Sequence, residues 1–244
     1  MSFTAPQRRF WKDADICLAE GGGWSVLLDD RPLRTPGKAL LAVPTAALAR
    51  AVAAEWQAQD ERIKPETMPF TRAANSAIDK VTPAHEAVAS MLAEYGGSDL
   101  LCYRAAAPDA LCARQKEEWD PWIEWCARAH GARLHLAVGV MPLEQPEASL
   151  SALAAAVRAH SAFELTALHD LVTLSGSLVL GLAVSGGAID PERAWGISRL
   201  DETWQAEQWG ADEEAARAAA EKAEAFAQAA RLLALVRQSD PEEG

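Results

Sequence analysis

Among the four cysteines, Cys17, Cys102, Cys112 and Cys126, there is no CxxC pair and no spacing that suggests a secreted disulfide framework or a zinc site. They read as small buried hydrophobes in a reducing compartment. Bases are scarce too: 23 Lys and Arg face 35 Asp and Glu, a net charge of −12. Phosphate neutralisation needs clustered Lys and Arg, so this balance argues against a nucleic-acid partner. The N-terminal stretch "MSFTAPQRRFWKDADI" lacks the apolar core of a secretory signal, and a mitochondrial presequence would be longer and free of acids. A bacterial cytoplasmic protein, or a trimmed mature mitochondrial-matrix protein if the source is eukaryotic, is expected. Long hydrophobic runs are missing: in "LTALHDLVTLSGSLVLGLAVSGGAI" only residues 171–184 are strongly apolar. That is short of the roughly 20 residues a membrane span needs, so no membrane insertion is expected. The segment reads instead as the central buried helix of a bundle, with Gly176 and Gly181 admitting close neighbours. Signature loops are absent as well: there is no GxGxxG, P-loop or GxSxG.

What is present reads as a mostly α, α+β protein. Half of the 244 residues are hydrophobic, enough for one large or two modest domains. In the first 44 residues, "ADICLAE", "WSVLLD" and "KALLAV" are short, and Trp24, Val26 and Leu28 alternate as one buried strand face would. Gly21-Gly22-Gly23, Asp29-Asp30 and Pro36-Gly37 supply turns, giving three or four antiparallel strands. From Thr45 the pattern is helical. Thr45 can cap a helix with Leu48, Val52 and Trp56 on its buried stripe. Pro69 and Thr82-Pro83 open two more helices, the second ending at Gly96-Gly97. Pro108 opens another, which Asp120-Pro121 should break or kink. Leu134, Leu136, Val138 and Val140 alternate, as a lone strand or an extended connection would. Four helices near residues 146–160, 162–185, 190–209 and 212–236 complete the chain. The expected division is a β-containing N-terminal domain, residues 1–82, and a helical C-terminal domain, residues 83–244.

Candidate chemistry is thin. No two of the five histidines sit at metal-ligand spacing, and no metal, nucleotide or other cofactor is expected. His169-Asp170 is the best catalytic pair, and a hydrolase would combine it with carboxylates around Glu118; a hydrogen-bonded structural pair explains it as well. In "QKEEWDPWIEW" the acids Glu117, Glu118, Asp120 and Glu124 are expected to face water while Trp119, Trp122 and Trp125 pack inward.

Nine tryptophans are a strong presence, and "RLDETWQAEQWG" at 199–210 sets two of them among acids. On a helical wheel Ile197, Leu200 and Trp204 share one side, whereas Trp195, Glu202 and Trp209 recur every seventh residue on the other. One helix with two faces must be covered twice, or must offer one face to a partner. Residues 201–244 also hold eleven acids against four bases.

These blocks, "VPTAALARAVAAEWQAQDERIKPETMPFTRAANSAIDKV", "LLCYRA", "QKEEWDPWIEW", "GISRLDETWQAEQWG" and the lead-in "WSVLLDDRPLRTPGKALLAVP", resemble in order those of the F-type ATP synthase assembly chaperones that escort the alpha subunit. The resemblance runs from Phe10 to Ala230. It implies a small β-containing domain followed by a helical one. It also implies a non-catalytic, cofactor-free monomer that binds free alpha subunit and shields the surface later given to beta. Carried over residue by residue, it points to Arg199, Asp201, Glu202, Gln205 and Trp209, with neighbouring Trp195, as partner-binding. Glu55, Trp56, Glu118, Asp120, Trp204 and Gly210 come over as structural. Asp201 replaces one acid of the family's pair and Trp204 stands where tyrosine is commoner. Glu202 then has two readings: a client contact held ionised by Arg199, or half of a buried Arg–Glu bridge setting the angle between the last two helices.

Overall fold

The computed structural model describes residues 8–139, 141, 143–210 and 212–239. Residues 1–7 of the N-terminal stretch, and Val140 of the 134–140 alternation, lie outside them. The architecture is an antiparallel sheet near the N-terminus followed by a multi-helical region. The chain forms two compact units. The first comprises residues 8–84, Ala162–Thr166 and residues 231–239; the second comprises His85–Ser161 and Ala167–Ala230.

In the first unit β1 (Ala14–Leu18) and β2 (Trp24–Leu28) pair antiparallel with Ile16 opposite Val26. The other edge of β2 takes β3 (Arg31–Pro32) and β4 (Ala42–Val43). The glycine turn is obligatory at Gly23, which has φ +77 and whose added Cβ would lie 2.5 Å from the Val43 carbonyl oxygen. Val26 and Leu28 are buried, and so is Ser25, so β2 is covered on both faces at that point. Helix α1 (Ala46–Gln57) packs on β1 and β2 through Leu48, Ala49 and Val52. Thr45 caps it as its position suggests: its hydroxyl oxygen accepts from the Leu48 N–H at 3.2 Å and its O–H donates to the Leu235 carbonyl at 2.7 Å. Trp56 departs from the expected stripe. Leu48 and Val52 are buried, but Trp56 is half-buried, and it is Trp11, 3% exposed, that fills the core edge-on to the Trp56 ring at 5.1 Å.

Helix α2 (Pro69–Ser76) follows and gives way to a π turn at Ala77–Val81. The second unit begins with α3 (His85–Ala93), whose last expected turn tightens into a 3₁₀ segment at Glu94–Gly97. Helix α4 (Asp109–His130) runs straight through Pro121, so the expected break is absent. Proline at 121 frees the carbonyl four residues earlier, at Glu117. Both residues are exposed, so water can take that bond. Two-residue strands β5 (Tyr103–Arg104) and β6 (Ala137–Val138) pair in parallel, so the 134–140 stretch is a short strand within a connection.

After α5 (Glu147–Arg158), the expected single helix over 162–185 is two helices. Helix α6 (Ala162–Ser175) stops at Gly176, φ +72, and α7 (Leu178–Ser185) restarts with Ser177 accepting from Leu180 N–H at 3.0 Å. Gly176 is thus a break rather than a close-packing site, while Gly181 has the expected role: a Cβ there would meet Val172 at 2.7 Å. Every residue of α7 is buried, which makes it the centre of this unit. No helix among the described residues is long and apolar enough to cross a membrane. The expected helix over 190–209 is likewise two, α8 (Pro191–Ser198) and α9 (Leu200–Trp209), broken at Arg199. Helix α10 (Glu213–Arg237) ends the described chain. Cys102 and Cys126 are buried as expected, and burial raises both thiols to about 12; Cys17 and Cys112 are only part-buried.

Candidate functional site

Asp190 begins the candidate surface by capping α8, accepting from Glu192 N–H at 2.9 Å. The helix ends three residues after Trp195, and Arg199 takes the junction at φ −103, ψ 15. That bend lets the Arg199 guanidinium lie over the Trp195 ring, 5.7 Å from its centroid, and pair with Glu202 at 2.7 Å. Trp195 in turn sits against Phe226, ring centroids 5.6 Å apart. Arg199 is about a third exposed and Glu202 half exposed, so this is not the buried bridge that one reading expected.

Helix α9 shows why it has two stripes. Leu200 is buried and Trp204 half-buried; Asp201 accepts from Gln115 at 2.7 Å and Glu207 pairs with Arg114 at 2.7 Å, both partners lying on α4. This inward side therefore carries polar anchors as well as apolar contacts. The opposite stripe, Glu202, Gln205, Ala206 and Trp209, follows i, i+3, i+4, i+7 spacing and is exposed throughout. Trp209 is 79% exposed, so it does not pack on the final helix; Trp195 does. Gly210, φ +92, then turns the chain toward α10. The acidic pair is thus divided: Asp201 faces inward to a buried glutamine and Glu202 faces outward.

The other candidate residues have structural partners. Trp119 is buried, and its indole N–H donates to the Ile197 carbonyl at 3.1 Å. Glu118 pairs with Arg193, and Asp120 with Arg104 at 2.8 Å, where Arg104 also lies over the Trp119 ring. Those two acids do not simply face water, and Trp122 and Trp125 are only half-buried. Glu124 and Glu117 are exposed as expected. In the first unit, Glu55 accepts from Phe70 N–H at 2.7 Å, Thr71 N–H at 2.8 Å and the Thr71 hydroxyl at 2.6 Å. It satisfies the open N–H groups at the start of α2, while burial pushes its pKa up against those bonds.

The arrangement offers little for catalysis. His169 and Asp170 pair with each other at 2.9 Å on a part-exposed helix side, and the hydrogen bond to Asp170 raises the imidazole pKa. Glu118 is engaged by Arg193. Among the described residues no group of three or more His, Cys, Asp or Glu could hold a metal. Sequence reasoning missed Asp99 and Gln115. Asp99 is wholly buried and accepts from Val179 N–H, Leu101 N–H and the Ser177 hydroxyl at 2.8–3.0 Å; burial raises its pKa to about 6. An acid directly before the apolar run "LLCY" was the available signal.

Three comparisons bear on this surface. The family model described as ATP12 chaperone protein matches residues 8–127. A solved structure, Atp12 from Paracoccus denitrificans, is 55% identical, covers 94% of this chain and 98% of its own, and superposes with a TM-score of 0.91. A putative chaperone from Agrobacterium tumefaciens is 41% identical over 94% of this chain and 86% of its own, with a TM-score of 0.90. The mitochondrial protein atp12 of Schizosaccharomyces pombe is 23% identical over 220 residues, 85% of this chain and 75% of that protein.

Proposed function

Because this chain belongs to the ATP12 chaperone family, we propose that it meets its client through the outward stripe of α9. Its activity is a chaperone's, not an enzyme's: it serves assembly of the F-type ATP synthase by binding the free alpha subunit until that subunit pairs with beta. The observation that carries the site is the open pairing of Glu202 with Trp209. A half-exposed carboxylate and a tryptophan with 79% of its surface bare share one helix stripe that no element of the chain covers among the described residues. Exposed aromatics beside charge are what anchor protein interfaces. Arg199, held over Trp195, keeps Glu202 ionised and aimed outward, and Gln205 supplies a neutral polar contact between them. Asp201 supports the stripe from behind through Gln115.

The bacterial relatives at 41–55% identity favour a bacterial cytoplasm over a mitochondrial matrix. We take the chaperone to act as a monomer, without membrane insertion or nucleic acid, the last in keeping with its net charge of −12. Co-purification from its native cell tests the client: tagged protein should capture alpha subunit as one dominant partner by mass spectrometry. A spread of unrelated partners without alpha would sink the reading.

A further inference from the structure

We propose that the client element seated on this surface is a cationic amphipathic helix, laid along the outward stripe of α9 and the bare N-terminal half of α10. The proposal rests on the α9 reading above and names its occupant. From Glu213 to Ala225 no side chain of α10 is buried; burial begins at Phe226. Those thirteen residues form roughly 20 Å of helix at 1.5 Å per residue. Seven of them are alanine, so intrinsic propensity supports a helix that no core holds. Asp212 caps it, accepting from Glu214 N–H at 2.8 Å and Ala215 N–H at 3.1 Å, and Glu213 and Glu214 complement the helix dipole. Only Gly210, Ala211 and Asp212 separate it from Trp209, so the open stripe of α9 ends where the bare helix begins.

Charge selects the occupant. Residues 201–225 contain eight acids and two bases, half the net charge of the chain. Asp201 and Glu207 are turned inward to Gln115 and Arg114. Glu202, Asp212, Glu213, Glu214, Glu221 and Glu224 remain on the exposed side. A surface of one sign draws a partner of the other and rejects an acidic one. The indole of Trp209, standing at the joint, can accept either a cation or an apolar side chain on its face. A helix fits better than a strand. Both α9 and α10 spend their backbone hydrogen bonds internally and present no sheet edge, whereas alanine side chains let a facing helix approach closely.

Site-specific photocrosslinking tests this with the full-length protein and purified alpha subunit. A photoreactive p-benzoylphenylalanine is placed in turn at Trp209 and at Ala215, Ala216 and Ala218, which together point around the whole circumference of α10. Crosslinks from Trp209 and from at least one α10 position should map to a single helical segment of alpha carrying Lys or Arg at i, i+3 or i+4 spacing. Crosslinks from Trp209 with none from α10, or capture of an acidic or extended segment, would overturn the helix proposal and leave the α9 reading standing. Silence at all four positions, with alpha still protected from aggregation, would overturn both.

Discussion

Asp99 and Glu55 are carboxylates whose burial works against their ionisation, and each is surrounded by donors that nonetheless require it. For Asp99 the balance leaves a folded-state pKa of about 6 against an ordinary 3.8. Between those values the folded protein binds the proton more tightly than the unfolded chain does. The resulting stabilisation is complete below the ordinary pKa and is lost as pH rises through the folded one. At 1.36 kcal/mol per unit it is of the order of 3 kcal/mol. Urea denaturation across this pH range should therefore show stability falling with pH, with that part of the slope missing in Asp99→Asn. An unchanged slope in the variant would show that Asp99 ionises freely. Trp56 poses a packing question at the same scale. Its ring leans on buried Trp11, so Trp56→Arg would bring a cation against an apolar core and expose the Trp11 face. A loss of about 2–4 kcal/mol is expected, less than for a fully buried site because the arginine head can reach water. An unaltered melting temperature would contradict this packing.

Helices α6 and α7 approach so closely at Gly181 that a single methyl group has no room beside Val172. Gly181→Ala should cost about 1–3 kcal/mol from overpacking, despite alanine's better helix propensity. A thermal melt that shows the variant as stable as the parent would mean the pair can separate cheaply. The same elements show what the sequence revealed and what it hid. The Thr45 cap, the β2 alternation and the total burial of α7 are local patterns, and they were legible. The breaks at Gly176 and Arg199 were not, because apolar periodicity carries across one unwound residue. Continuity through Pro121 was hidden for a different reason: whether a freed carbonyl can reach water depends on which side of the helix faces out. Asp99 bonds to Val179, 80 residues on, and Gln115 to Asp201, 86 residues on, so neither role appears in any window of sequence.

For the molecule as a whole, the fold is an antiparallel sheet region and a helical region, and its working surface is one that the chain leaves uncovered. The resemblance of separated sequence blocks pointed to the chaperone family. It also pointed to Arg199, Glu202, Gln205 and Trp209, but it could not divide the acidic pair; the inward hydrogen bond of Asp201 does. The account therefore stands on Glu202 being a contact residue rather than a structural one. The direct test is Glu202→Lys, measured by thermal denaturation and by suppression of alpha-subunit aggregation on the same preparation. Loss of a half-exposed ion pair with Arg199 should change stability by no more than about 1 kcal/mol. Reversing the carboxylate at an interface centre should cost about 2–5 kcal/mol of binding, and protection of alpha should fail. A folded variant that protects alpha as well as the parent does would contradict the account.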